Sequence, residues 1–195
     1  MKKLISLCLC AGLMLSMTSC SGTKTNDTER ETEIETEASE VIEETDDTDT
    51  PDDFSPDFTF TTTDRDGREY TEAFFSQHEV TMVNFWEPWC GPCVGEMPEL
   101  QQLYRNYSDK GFAILGVYSE TMMESDVDQI ISDTGVEYPI LHYAPEFDQF
   151  KTGYVPTTVF VDRNGHILSA SGNPLIVGAN SYTGWEEIIR QYLGN

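Results

Sequence analysis

Two cysteines separated by a glycine and a proline, Cys90-Gly91-Pro92-Cys93, are the residues best placed to do chemistry in this sequence. Trp89 and an apolar, β-rich run from Val80 to Trp86 precede them. Met97, Leu100, Leu103 and Tyr104 follow at three- and four-residue spacing. The pair is therefore expected just after a buried strand, at the start of a helix. A thiol there meets free backbone N–H groups and the positive end of the helix dipole, which favour the thiolate. A cysteine three residues on shares the face of that first turn, so the sulfurs can approach bonding distance. Cys90 is expected to be the exposed nucleophile and Cys93 the shielded resolving thiol. Pro92 suits the first turn, where its missing N–H would have no helical partner.

Two blander uses of the pair fit less well. Zinc takes four ligands. The remaining chain offers Cys20 and three scattered histidines, His78, His142 and His166. A structural disulfide between residues three apart closes almost no loop and stabilises little. Thiol–disulfide exchange is the expected chemistry, with neither metal nor bound cofactor.

The elements that must hold the pair read as an α/β domain over 54–195. Phe58 to Thr61, the Asp64-Arg65-Asp66-Gly67 turn and Glu69-Tyr70 suggest a hairpin at its start. Thr71 to Gln77 reads as a short helix, and Phe112 to Tyr118 as a second buried strand. A helix is expected over Asp126 to Ser132, closed by Gly135, then a short strand over Tyr138 to His142 and a helical turn over Glu146 to Lys151. Val155 to Val161, the turn at Asp162 to Gly165, and His166 to Ser171 suggest a second hairpin. A helix over Trp185 to Leu193 closes the domain. Alternating strands and helices with a hairpin at each end imply a mixed sheet.

The residues before the domain carry different signals. Met1-Lys2-Lys3 and the apolar stretch from Leu4 to about Met17 have the length of a signal-peptide core and are too short to span a bilayer. Met17-Thr18-Ser19-Cys20 resembles a bacterial lipobox, which would make 1–19 a cleaved leader and Cys20 the lipid-bearing N-terminus. An ordinary secretory signal near a cysteine is the alternative. Either reading removes Cys8 and Cys10 and places the chain outside the cytoplasm, where disulfide chemistry is possible.

Residues 21–53 hold 14 acids against Lys24 and Arg30, with Ile34, Val41 and Ile42 as the only sizeable apolar side chains. That composition cannot offset the entropy of ordering, so the segment is expected to be a solvated tether reaching at most about 110 Å. A calcium loop at Asp47-Thr48-Asp49 fails, because Pro51 sits where a third ligand belongs and neither the loop glycine nor the terminal Glu follows. The net charge of the chain is -24, and the domain keeps 21 acids against seven bases. Such a chain repels phosphate backbones, which excludes nucleic-acid binding as its business. A monomer is expected.

The run Val83-Asn84-Phe85-Trp86-Glu87-Pro88-Trp89-Cys90-Gly91-Pro92-Cys93-Val94-Gly95-Glu96-Met97-Pro98-Glu99-Leu100 resembles the active-site segment of the TlpA/ResA-like thioredoxin family. Pro56-Asp57-Phe58-Thr59 and Gly153-Tyr154-Val155-Pro156-Thr157-Thr158 extend the resemblance across most of 54–195. It implies a thioredoxin-like fold and a membrane-anchored, extracytoplasmic thiol–disulfide oxidoreductase. It also implies a cis Val155–Pro156 bond facing the cysteines. The backbone beside Pro156 would pair with an extended substrate segment. Asn84 stands where cytoplasmic thioredoxins carry a buried Asp that takes the resolving thiol's proton, and Asn cannot take it. Glu96, three residues after Cys93, resembles an acid retained near the site in this branch. It is read either as the acceptor of the Cys93 proton or as a glutamate complementing the helix dipole.

The uncharged Gly91-Pro92 between the cysteines favours a reductase, since strong oxidants stabilise their reduced thiolate. The implied partners are a disulfide-containing extracytoplasmic protein as substrate, a membrane thiol reductase as electron donor, and the membrane through the lipid anchor. A disulfide-donating oxidase would use the same residues. A peroxidase would want Thr or Ser three residues before its cysteine, where Glu87 stands. A non-catalytic docking lipoprotein would have no need of Cys90, Cys93 and Val155-Pro156.

Overall fold

Residues 80–85 and 112–118 are buried at every position, and they form the two central strands of the sheet. The structure, a computed structural model, describes residues 54–169 and 172–194. The leader, Cys20 and the acidic segment lie outside the described residues. In chain order the strands are β1 (Thr61–Thr63), β2 (Glu69–Thr71), β3 (Val80–Phe85), β4 (Phe112–Tyr118), β5 (Ile140–His142), β6 (Thr157–Asp162), β7 (Ile167–Leu168) and β8 (Ile176–Val177). The helices are α1 (Gly91–Tyr107), α2 (Glu124–Thr134) and α3 (Tyr182–Leu193).

The large sheet runs β5-β4-β3-β6-β7, with β8 also paired to β6. β3 is parallel to β4 and antiparallel to β6, and the register sets Phe85 beside both Val117 and Thr157. A parallel pair needs a crossover, which α1 supplies between β3 and β4. Because β3 and β4 run the same way, their C-terminal ends meet the start of β6 at one end of the sheet. The cysteine pair and Pro156 both fall there.

Strand side chains alternate between faces. Met82 and Trp86 join Leu100 and Leu103 of α1, Val127 of α2, and Trp185 and Ile189 of α3. Val83 and Phe85 face the other way, onto Phe58, Phe60, Phe75, Phe147 and Phe150. The α-helices thus contribute to one core, while the N-terminal segment and two 3-10 turns (72–77 and 145–150) cover the other.

Several boundaries differ from those expected of the sequence. The first hairpin pairs Thr61–Thr63 with Glu69–Thr71, starting later than Phe58. Phe58 and Phe60 are buried in the aromatic core ahead of it, and Asp64 sets the turn by accepting the N–H groups of Asp66 and Arg68. Arg65 fixes the hairpin to α2 through Glu124 and Asp128, and donates to Tyr118 Oη at 2.7 Å. Thr62 Oγ1 donates to the His142 carbonyl at 2.7 Å, so the hairpin shields the β5 edge. Residues 72–77 form a 3-10 turn rather than an α-helix. α3 begins at Tyr182, three residues before Trp185, because Ser181 caps it by accepting the Gly184 N–H at 3.3 Å. The second hairpin has only Ile167–Leu168 as its return strand, with part of the expected span outside the described residues. β8 is two residues long, too short for periodicity to reveal.

Candidate active site

Cys90 and Cys93 are joined in a disulfide across the first turn of α1, with Cα atoms 5.3 Å apart. Cys90 is the N-cap of the helix, and the Cys93 N–H donates to its Sγ at 3.2 Å. That sulfur takes the place of the oxygen with which Ser or Asp would cap a helix. The same N–H would stabilise a thiolate there after reduction. Pro92 sits in the first turn, which contains no acidic side chain to oppose that charge. Gly91 opens the helix with nothing near its missing Cβ. Cys93 is 1 % exposed, as expected of a resolving thiol. Cys90 is not the exposed nucleophile expected: in the disulfide form it is only 6 % exposed. Its sulfur is bonded to Cys93 and lies 3.6 Å from the Val155 carbonyl oxygen.

The Val155–Pro156 bond is cis. The carbonyl of Pro156 is already taken by the Gly178 N–H at 2.8 Å. The backbone beside this proline that faces the sulfur is therefore that of Val155 alone. Trp89, just before the nucleophile, is 62 % exposed.

Glu96 lies one turn below Cys93 and is only 3 % exposed. Asn84 Nδ2 donates to its Oε1 at 3.3 Å, and Trp185 Nε1 and the Asn180 N–H donate to its Oε2 at 3.0 and 3.1 Å. Asn84 also donates to Thr158 Oγ1 at 3.0 Å. Burial pushes the Glu96 carboxyl above the usual carboxylate range, and the three donated hydrogen bonds oppose that rise. Glu96 is thus an interior side chain near the start of α1, held by three donors. Asn84 holds the carboxylate in place of being the acid.

Sequence reasoning missed Trp185 and Asn180 as partners of Glu96. Trp185 counted only as part of an amphipathic helix, and a backbone N–H such as that of Asn180 leaves no sequence signal. Thr158 stood inside the motif quoted around Pro156. Glu87 is a structural strut. Its buried carboxylate accepts the N–H of Ser119 at 3.0 Å, the Ser119 hydroxyl and the N–H of Glu120 at 3.1 Å. It ties the loop before Cys90 to the loop after β4, and it supplies no hydroxyl where a peroxidase would need one. Among the described residues no three His, Cys, Asp or Glu side chains converge on a metal-sized site. No helix of the described residues is long and apolar enough to cross a membrane.

Residues 51–170, spanning the hairpin, both cysteines and the cis-proline, match the AhpC/TSA family. The chain belongs to that family. It is 42 % identical over 88 residues to the thiol-disulfide oxidoreductase ResA of Oceanobacillus iheyensis, covering 44 % of this chain and 45 % of the relative. The ResA of Geobacillus thermodenitrificans is 31 % identical over 115 residues, 58 % of this chain and 64 % of the relative. The chain thus spans less than two thirds of these curated relatives. Among solved structures, a thioredoxin-family thiol:disulfide interchange protein of Chlorobium tepidum superposes with a TM-score of 0.61 at 25 % identity. That match covers 72 % of this chain and 97 % of the other. The fold is thioredoxin-like, in agreement with the resemblance of the active-site segment.

Proposed function

We propose that the chain is an extracytoplasmic thiol–disulfide oxidoreductase, anchored to the membrane through Cys20, that reduces disulfides in proteins outside the cytoplasm. The observation that carries this reading is the Cys90–Cys93 disulfide on the first turn of α1, with its nucleophilic sulfur facing the Val155 carbonyl. In the reduced protein, the Cys90 thiolate attacks one sulfur of a client disulfide. A Cys90–client bond forms, and the other client sulfur leaves as a thiolate that takes a proton from solvent. Cys93 then loses its proton and attacks Cys90 Sγ, which releases the second client thiolate and closes the Cys90–Cys93 bond. Two electrons have passed to the client, and a membrane thiol reductase must return two to the pair.

Glu96 is the proposed acceptor of the Cys93 proton. Its raised pKa brings it nearer to a thiol, which lowers the cost of the transfer. The neutral Gly91-Pro92 pair brings no cation or histidine to stabilise a reduced thiolate, which supports reduction over disulfide donation. The similarity to two proteins named ResA supports the same class of activity. The lipobox-like Met17-Thr18-Ser19-Cys20 supports the anchor, and the acidic run after it supports a spacer between membrane and domain.

The test is a Cys93→Ser variant incubated with a disulfide-bonded extracytoplasmic protein. A mixed disulfide should accumulate on Cys90 and be absent in Cys90→Ser. Failure of both variants to trap any client, with wild type also unable to reduce one, would remove the reading.

A further inference from the structure

Among the described residues, four large apolar side chains stand exposed: Trp89, Met122, Tyr154 and Val177. Single exposed apolar residues are ordinary, but Trp89 and Tyr154 line one groove. Trp89 precedes Cys90, and Met122 lies in the loop after β4, at the same end of the sheet. Tyr154 immediately precedes Val155, and Val177 pairs with Thr157 beside Pro156. Between Trp89 and Tyr154 runs a groove of about 470 Å³, walled by Phe147, Phe150, Val117 and Val155. That volume lies within the range of built ligand sites and is large enough for a bulky side chain.

Charge narrows the occupant. Among the described residues lining the groove, Lys151 is the base, and Asp148 holds it at 2.6 Å while its ammonium sits 4.9 Å from the Tyr143 ring. Glu87 stands in the wall, Glu120 follows it on the adjoining loop, and Glu146 lies on the 3-10 turn that brings Phe147 to the groove. The lining itself sets one buried acid, Glu87, and one base, Lys151, around an aromatic floor, and the charge bias comes from the domain, which has three times as many acids as bases. Exposed Trp and Tyr over an apolar groove match the composition of a protein-recognition surface. The field of this acidic domain repels an acidic segment and attracts a basic one.

We infer that this groove selects the client: an extended segment bearing a large apolar or aromatic side chain next to its cysteine, flanked by Lys or Arg. The inference rests on the exchange chemistry proposed above. The apolar side chain enters between Trp89 and Tyr154, which lays the neighbouring sulfur against Cys90 beside the Val155 carbonyl. The basic residue stays outside the groove and speeds encounter with the acidic domain.

The experiment uses the reduced full chain and three disulfide peptides of one length, with Trp-Lys, Trp-Glu or Ala-Glu beside the cysteine. Cystine serves as a small disulfide that cannot fill the groove. The expected kcat/KM is about tenfold higher for Trp-Lys than for Trp-Glu at low salt, and the ratio shrinks as salt is raised. Trp-Glu exceeds Ala-Glu by about tenfold, and Tyr154→Ala reduces that second ratio to about threefold or less. Equal rates for all three peptides, or a preference for Trp-Glu, would overturn the inference while leaving the exchange chemistry intact. No reduction of any peptide or of cystine would instead overturn the chemistry on which it rests.

Discussion

On one face of β3, Val83 and Phe85 meet Leu115, Val117 and a group of phenylalanines. Phe58 lies 4.9 Å from Phe150 and 5.5 Å from Phe75 between ring centres, and Phe60 lies 5.0 Å from Phe147. On the other face, Asn84 sits between Met82 and Trp86, and with Glu96, Thr158 and Trp185 it forms a hydrogen-bonded cluster inside the apolar core. Both faces belong to one strand, yet they carry different burdens. The aromatic face gains from burying phenylalanine rings, which carry no polar group to desolvate. The other must desolvate a carboxylate, which disfavours its charge unless partners are supplied. The redox pair lies on that second face, so the fold places its costly polar groups where a proton has to move.

The comparison can be broken most strongly on the aromatic side. Phe75 is fully buried and touches Phe58 and Phe60, so Phe75→Ala should cost about 3–5 kcal/mol in urea unfolding. The reduction potential of the cysteines should stay where it was. A large shift in potential would mean that the two faces are not separable.

On the polar side, Glu96→Gln should slow resolution of the mixed disulfide by about 10²-fold, read by single-turnover release of a client thiol. The fold should survive, because the Gln carbonyl can accept from Trp185 and Asn180 if Asn84 turns its own carbonyl toward the new amide. The pH dependence has a definite sign. A carboxyl whose pKa is raised in the folded state binds its proton more tightly there than when unfolded. Its contribution to stability is complete below the ordinary carboxylate pKa and is lost as pH rises through the raised one. Wild type should therefore lose stability relative to Glu96→Gln over that window, and parallel pH–stability curves would contradict it.

Asn84→Ala is the next step down. It removes one donor from Glu96 and leaves Thr158 Oγ1 without that partner, at a cost of about 1–3 kcal/mol. Chemical denaturation measures it, and the resolution rate should fall with it.

The smallest effect returns to the aromatic face. Thr81 Oγ1 is buried with no hydrogen-bond partner among the described residues. Thr81→Val removes that group and should raise stability by about 1 kcal/mol, visible as a higher Tm.

Much of this division was legible in the sequence. Val80 to Trp86 and Phe112 to Tyr118 read as buried strands because strands covered on both faces are apolar throughout. Cys90, Cys93 and Pro156 were found from spacing and resemblance, because chemistry at a helix start leaves a local signature. What escaped is non-local. Glu96 was noticed, but its donors come from positions 84, 180 and 185 on three separate elements. Glu87 looked like a missing hydroxyl until its hydrogen bonds to residues 119 and 120 showed it to be a strut. The groove beside Tyr154 could not be seen at all, since Phe147, Phe150, Trp89 and Val117 meet only after the strands are in register. The short strand β8 and the true starts of α2 and α3 were hidden for a simpler reason. Caps and two-residue pairings carry too few side chains to set up a period.

The most direct test of the proposed direction is the reduction potential of the Cys90–Cys93 couple, measured by equilibrating the chain against dithiothreitol or glutathione. A reductase supplied from the membrane should titrate near or below about -250 mV. A value above about -150 mV would mark a disulfide donor and contradict the proposed direction of electron flow.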